Sequence, residues 1–188
     1  MNRWLPALLI FTILIVFRVM PLLLPGTLPN FQPLPAIILC SIIFLKGHQR
    51  WLLPLLAWIV TDPLTSVLQG YPIFSPKDQI GIVLGVAAIV GIAVTTPKRP
   101  IAVLSSSLLS AIAFYVITNW LSFVFDPLYE KSMTGFIQAQ WTGPVGMMPT
   151  WIFLRNLIAA NLLFSSLFLV ARQALPQSDP ATSPACAR

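Results

Sequence analysis

The chain has 188 residues, of which 57% are hydrophobic and only 9% are charged, and its mean hydropathy is +0.85. Soluble domains carry about 25% charged residues, so this composition excludes a water-soluble globular protein and predicts an all-α, polytopic membrane protein. The net charge of +6 does not indicate nucleic-acid binding, because the basic residues lie in short segments between apolar runs. Two distant cysteines, Cys40 and Cys186, have no metal-ligand spacing, so no metal or cofactor is expected.

Six apolar segments predict transmembrane helices, since a span needs about 20 apolar residues. They cover residues 4–24, 33–46, 51–69, 77–95, 101–124 and 150–171. The first lacks a small-x-small cleavage site and is interpreted as a retained span. The second is short, so the preceding stretch "LPGTLPNFQ" is expected to dip into the membrane. These spans form one domain over 1–172, and the Pro/Ser/Ala-rich tail 173–188 is predicted to be disordered and cytoplasmic.

The fourth segment has a helix-start signal and a helix-packing motif. Ser75 suits an N-cap and Pro76 the first helical position. Gly81 and Gly85 form a GxxxG pattern, which predicts close approach of a second helix.

The basic residues predict the orientation. With the N-terminus in the cytoplasm, only Lys77 and Lys131 fall outside, and Arg18 and Arg155 fall within spans. The inside residues are Arg3, Lys46, Arg50, Lys98, Arg99, Arg172 and Arg188. This positive-inside pattern predicts a multi-pass protein of the inner (plasma) membrane with both termini in the cytoplasm.

Polar residues inside the spans predict a ligand-binding chamber. One face of the third segment carries Asp62, Thr65, Ser66 and Gln69, and one face of the fifth carries Tyr115, Thr118, Asn119, Ser122 and Asp126. One sector of the sixth segment carries Arg155, Asn161 and Ser165. Helix length places these stripes largely in the outer leaflet, which predicts a polar chamber open to the outside. The candidate ligand-binding residues are Arg18, Asn30, Asp62, Asn119, Arg155 and Asn161.

Structural roles for the same residues remain open. Asp62 suits an internal ion pair, Arg18 suits snorkelling to the headgroups, and the asparagines suit interhelical hydrogen bonds. Asn156 points away from the sector of Arg155 and is expected to serve helix packing.

The longest loop, 126–149, is unusually apolar for an exposed segment. Residues 132–141 are predicted to form a short interfacial helix anchored by Trp141. This helix either caps the chamber or forms an interfacial belt without a gating role.

Catalytic signatures are lacking in the sequence. No phosphate-binding GxxxxGK[ST] loop is present, so ATP-driven transport requires partner subunits. The only histidine, His48, lies in the inner loop "KGHQR", away from the polar stripes. An enzyme is therefore not expected.

Several motifs resemble a family of uncharacterised bacterial membrane proteins. They are "FRVMPLLLPGTLPNFQPLPAIIL", the aspartate Asp62, "TNW" at Thr118–Trp120, Tyr129 followed by Thr134–Gly135, and "FLRNLIAANLLFS". That family's six-helix plan is similar to the substrate-binding S components of energy-coupling-factor (ECF) transporters. The resemblance implies an outward-facing pocket for a micronutrient, and as partners a transmembrane coupling subunit and ATP-binding cassette ATPases.

Two functions follow from these observations. The first is an S-component-like subunit for uptake of a small molecule, with two arginines against one aspartate favouring an anionic ligand. The second is a non-transporting scaffold or assembly protein whose polar interior serves helix pairing. The bulky first segment favours the second, because S components present an Ala-x-x-x-Ala face there and only Ala7 is found.

Overall fold

The computed structural model describes residues 12, 16, 17, 28–70 and 76–174, with a few helical positions in these ranges described by their backbone alone. Within these ranges the protein is entirely helical, as the composition predicted. The helices are α1 Leu34–Phe44, α2 Gln49–Gln69, α3 Pro76–Thr95, α4 Pro100–Phe125, α5 Met133–Ile137 and α6 Thr150–Ala174. A π-helical turn, Gln138–Thr142, continues α5.

Among the described residues, three helices are long and apolar enough to cross a membrane, as judged by length and composition: Gln49–Leu68, Pro100–Phe125 and Thr150–Gln173. Two more, Leu34–Phe44 and Gln79–Thr95, are apolar but shorter. Helices therefore occupy five of the six predicted segments. The predicted first span 4–24 and tail 173–188 lie wholly or almost wholly outside the described residues.

Helix α1 forms the centre of the bundle. Ten of its eleven residues are buried, and it packs against α2, α3, α4 and α6. A helix that is apolar on all sides is stable only when neighbours surround it, which accounts for the uniform sequence "LPAIILCSIIF". Proline suits the first helical turn, because a backbone N–H at that position would have no partner within the helix and proline lacks this group.

Helices α3 and α4 form an antiparallel pair, joined at their turn by a 2.7 Å hydrogen bond between Thr96 Oγ1 and Ser106 Oγ. Of the two glycines in the GxxxG pattern, Gly85 has the tighter contact, because an added Cβ there would lie 2.5 Å from Cδ2 of Phe114. At Gly81 the nearest side-chain atom would be 3.5 Å away, which is ordinary contact. The close packing that the GxxxG pattern predicts is therefore present, and it requires a glycine at position 85 more strictly than at position 81.

Helix α2 lies at the edge of the bundle, with α1 as its principal neighbour. It ends at Gly70, whose left-handed φ of 72° suits a glycine. Its outer surface is apolar: Leu55, Ile59 and Val67 are 46%, 55% and 59% exposed. Such a surface suits hydrocarbon rather than water.

Candidate ligand cavity

A cavity of about 230 Å³ lies beside the start of α1. Its described lining comes from the turn before α1 and from helices α1, α3 and α4. These residues are Asn30, Gln32, Leu34, Ile82, Phe114 and Thr118. Three polar side chains thus face three apolar ones, the composition typical of small-molecule pockets.

The turn that carries Asn30 is held from two sides. Asn30 adopts a left-handed φ of 59°, which asparagine tolerates better than most residues. Gln32 Nε2 donates a 2.6 Å hydrogen bond to Asn30 Oδ1, and Phe31 N–H closes the turn on the Leu28 carbonyl at 3.2 Å. Asn156 Nδ2, from α6, donates to the Pro29 carbonyl at 2.8 Å. The polar wall is therefore fixed in place, and Asn156 has the packing role that its helix position predicted.

Thr118 supplies the third polar side chain of the lining. Its hydroxyl lies 2.9 Å from the Phe114 carbonyl and 3.1 Å from the Tyr115 carbonyl, so it donates its proton within α4. The hydroxyl oxygen keeps capacity to accept. Among the described residues the lining carries no ionised group, so its chemistry is that of amides and a hydroxyl.

Asp62 pairs with α3 rather than lining this cavity. Its carboxylate accepts a 2.8 Å hydrogen bond from Gln79 Nε2. The side chain is half-buried and follows the fully buried Thr61. The interaction links the edge helix α2 to α3. Gln79 was not identified from the sequence. It lies in the first turns of α3, and its partner Asp62 lies in the second half of α2.

Asn161 is fully buried between α6 and α4. Its side-chain Nδ2 donates to the Leu157 carbonyl at 2.8 Å, and its backbone carbonyl accepts from Ser107 Oγ at 3.0 Å. Ser107 also lies 2.8 Å from Ser165 Oγ, which accepts from Cys40 Sγ at 3.8 Å. Asn161 Oδ1 has no hydrogen-bond partner among the described residues. These contacts make Asn161 part of a polar seam between helices.

Arg155 and Asn119 have local partners. Arg155 is exposed, with both Nε and Nη2 lying 3.2 Å from Asn156 Oδ1. Its guanidinium lies over the Trp151 ring, 5.5 Å from the centroid. Asn119 is half-buried and donates to the Tyr115 carbonyl of its own helix at 2.9 Å.

Among the described residues, the predicted ligand residues lie at different contacts. Asn30 lines the cavity, whereas Asp62, Arg155 and Asn161 contact Gln79, Trp151 and the α4 interface, respectively. Asn119 bonds to its own helix, and Arg18 lies outside the described residues. In the described part of the chain their contacts are separate, and Asn30 alone of the six lines the cavity, so the single chamber stays a prediction. Ligand binding by any of the six stays a prediction.

The segment after α4 forms the predicted short helix. Ser132 caps it by accepting the Gly135 N–H at 3.2 Å, and α5 continues into the π-helical turn. Gly135 is required by close packing, because a Cβ there would lie 2.0 Å from the Glu130 carbonyl oxygen. Lys131 Nζ donates to the carbonyls of Phe123 and Asp126, which ties the loop to the end of α4.

This segment docks away from the cavity. The Tyr115 hydroxyl donates to the Gln140 carbonyl, and Gln140 Nε2 donates to the Val116 carbonyl at 3.3 Å. Tyr115 and Val116 are rotated by about 100° and 200° from Phe114 around the helix axis, whereas Phe114 and Thr118 line the cavity. No described lining residue comes from 126–149. Both interpretations of the segment, as a cap and as an interfacial belt, therefore stay predictions.

The helices and cavity together define a helical protein with membrane-length apolar segments and an internal polar recess. The chain belongs to the family of unknown function DUF6580, whose model matches residues 1–182. The comparisons with curated proteins and with solved structures gave no match.

Proposed function

We propose that the protein is a multi-pass membrane subunit that binds a small polar molecule in the cavity beside α1. The observation that carries this proposal is the fixed turn at Asn30, since a left-handed residue and a preset amide pair face an open space. Strained backbone held by surrounding contacts is typical of binding sites. The polar edge of the cavity would orient the ligand, while Leu34, Ile82 and Phe114 would cover its apolar part.

The size and chemistry of the cavity restrict the ligand. Its 230 Å³ is smaller than the roughly 300–1,000 Å³ of pockets for drug-sized molecules, so the ligand is a small metabolite. The described lining suits a neutral molecule with hydrogen-bonding groups. An anionic ligand in this cavity would require a cation such as Arg18, because Arg155 is not among the residues that line it.

Uptake through such a site requires other subunits. The six spans and cytoplasmic termini that the sequence predicts, together with its resemblance to ECF S components, would suit the substrate-binding part of a transporter in the inner membrane. Since the chain has no phosphate-binding loop, ATP hydrolysis would be performed by ATP-binding cassette partners acting through a coupling subunit. No catalytic role is proposed.

A scaffold function is the second candidate, and the polar contacts between helices favour it. Asp62 with Gln79, and Ser107 with Ser165, satisfy one another across helix interfaces. Such pairs stabilise helix association in membranes without any ligand. A scaffold would hold a stoichiometric membrane protein partner in place of a metabolite.

Filling the cavity tests the first proposal. Ile82→Trp places a bulky ring at the lining, whereas Val83→Trp adds the same ring at a neighbouring position that is 51% exposed. Native mass spectrometry of gently purified protein should show a small molecule retained by the wild type and Val83→Trp but lost from Ile82→Trp. Equal retention by both variants would place the ligand elsewhere. A ligand-free wild type with a membrane protein partner, but no ATPase, would support the scaffold.

A further inference from the structure

Arg155 occupies an unusual position for a cation. It lies five residues after Thr150, or about 7.5 Å along the axis of α6, on a helix long and apolar enough to cross a membrane. The side chain is exposed rather than buried in the bundle. A guanidinium at that depth requires a compensating group of opposite charge or access to the headgroup region.

The contacts of Arg155 orient its guanidinium without neutralising it. Asn156 Oδ1 accepts from Nε and Nη2, and Trp151 stacks beneath the group. Asn156 is itself anchored on the Pro29 carbonyl. Because helical side chains lean toward the N-terminus of the helix, Arg155 is directed back toward the Thr150 end. Both of its partners are uncharged.

The surroundings of Arg155 match the headgroup level of a bilayer. Trp141 is 56% exposed, and its ring centroid lies 6.4 Å from that of Trp151. Met147, in the same loop, is 61% exposed. Tryptophan is enriched at the membrane–water interface, where its ring is apolar and its N–H is wet.

An apolar stripe continues from Arg155 along the same face of α6. Ala159, Leu163 and Leu167 follow at intervals of four residues, and all three are exposed. Leu163 and Leu167 are 43% and 51% exposed. Ala159, the residue one turn below the cation, is small and exposed. This sequence of a cation, a small residue and leucines matches the order of phosphate, glycerol and acyl chain in a phospholipid.

We propose that Arg155, Trp151 and the stripe below them form a binding site for one phospholipid of the adjacent leaflet. The planar guanidinium would hold the phosphate through paired N–H···O hydrogen bonds. Trp141 and Trp151 would flank the headgroup, and the acyl chain would lie over Ala159 and Leu163. The apolar stripe favours a lipid as the ligand, because a soluble phosphate has no apolar part that would cover the stripe.

Lipid retention by purified protein tests this site. The protein, in a detergent micelle, is titrated with phosphatidylglycerol and lipid adducts are counted by native mass spectrometry. Arg155→Gln should weaken retention at least tenfold, and Arg155→Lys should weaken it less, because charge is kept while the paired hydrogen bonds are lost. Lys131→Gln removes a cation whose ammonium is already held by the carbonyls of Phe123 and Asp126, so retention should not change.

Further arms separate the lipid from other ligands. Diacylglycerol, which lacks phosphate, should not be retained, and inorganic phosphate should not displace the lipid. Ala159→Leu keeps the arginine but places a bulky side chain where the glycerol region would lie, so it should also weaken phosphatidylglycerol retention. This variant decides the outcome if Arg155→Gln fails to fold. Unchanged retention in both Arg155→Gln and Ala159→Leu, or displacement by inorganic phosphate, overturns the proposal.

Discussion

The contact between Gly85 and Phe114 gives the sharpest test of how α3 and α4 pack. In Gly85→Ala the new Cβ would lie 2.5 Å from Cδ2 and 2.9 Å from Cε2 of the Phe114 ring. Ordinary carbon–carbon contacts begin at about 3.5 Å, so the ring or the helix must move by about 1 Å. The cavity that Phe114 lines offers room for a displaced ring.

Two opposing effects set the magnitude. Overpacking of this kind costs about 1–3 kcal/mol, while replacing glycine by alanine inside a helix gains about 1 kcal/mol. The free energy of unfolding of Gly85→Ala should therefore fall by up to about 2 kcal/mol. A ring displaced into the cavity would also reduce its volume, so ligand retention, if the proposed function is correct, should weaken together with stability.

Gly81→Ala is the matched control, because its Cβ would make only an ordinary 3.5 Å contact with Leu121. Its unfolding free energy should stay equal to that of the wild type or rise slightly. Unfolding in detergent, followed by circular dichroism, compares the two variants. Adding Phe114→Leu to Gly85→Ala should recover part of the loss, since residues in contact are energetically coupled. Equal stability of Gly85→Ala and Gly81→Ala would refute this account of the packing.

Two further predictions concern other contacts. Gln79→Leu removes the 2.8 Å hydrogen bond to the Asp62 carboxylate, so the free energy of unfolding should fall by about 1.5–3 kcal/mol. The same unfolding assay is applied to Asp62→Asn and to the double variant. If the two losses of stability simply add in the double variant, that result would argue against a direct interaction. Burial, reinforced by the charge of Asp126 and by Tyr115, raises the pKa of Tyr129. The unfolded chain therefore releases this proton first as the pH rises above about 10, and stability present below that pH should be lost above it. Tyr129→Phe should remove this part of the alkaline loss in a pH series of thermal unfolding, and an unchanged pH profile would contradict the assignment.

The helical architecture was accessible from sequence because apolar length and proline position leave few alternatives. The predicted segment 33–46 corresponds to Leu34–Phe44, and 101–124 corresponds to Pro100–Phe125. Prolines mark both helix starts, with Pro33 at the N-cap of α1 and Pro100 as the first residue of α4. Close packing at Gly85 was also indicated by the GxxxG pattern, although the sequence could not show which of the two glycines has the tighter contact.

The cavity was less accessible, because polar stripes do not require a shared chamber. Thr118, Asn119 and Ser122 each bond to a backbone carbonyl one turn earlier on α4. Such back-bonding satisfies hydroxyl and amide groups within one helix, so their spacing carries no information about neighbouring helices. The i, i+4 spacing of Trp151 and Arg155 agrees with their contact, but a shared helix face does not show whether that face is buried or exposed.

The shortness of α1 has a consequence for the path of a solute. Its eleven residues measure about 16 Å, roughly half of a 30 Å hydrocarbon layer. If the bundle spans a bilayer and α1 ends at its cytoplasmic surface, as the sequence predicts, a molecule bound at Asn30 in the proposed role would lie near the midplane. Completing the passage would then require a displacement of only one short helix length, which is a far smaller rearrangement than carrying the molecule from face to face.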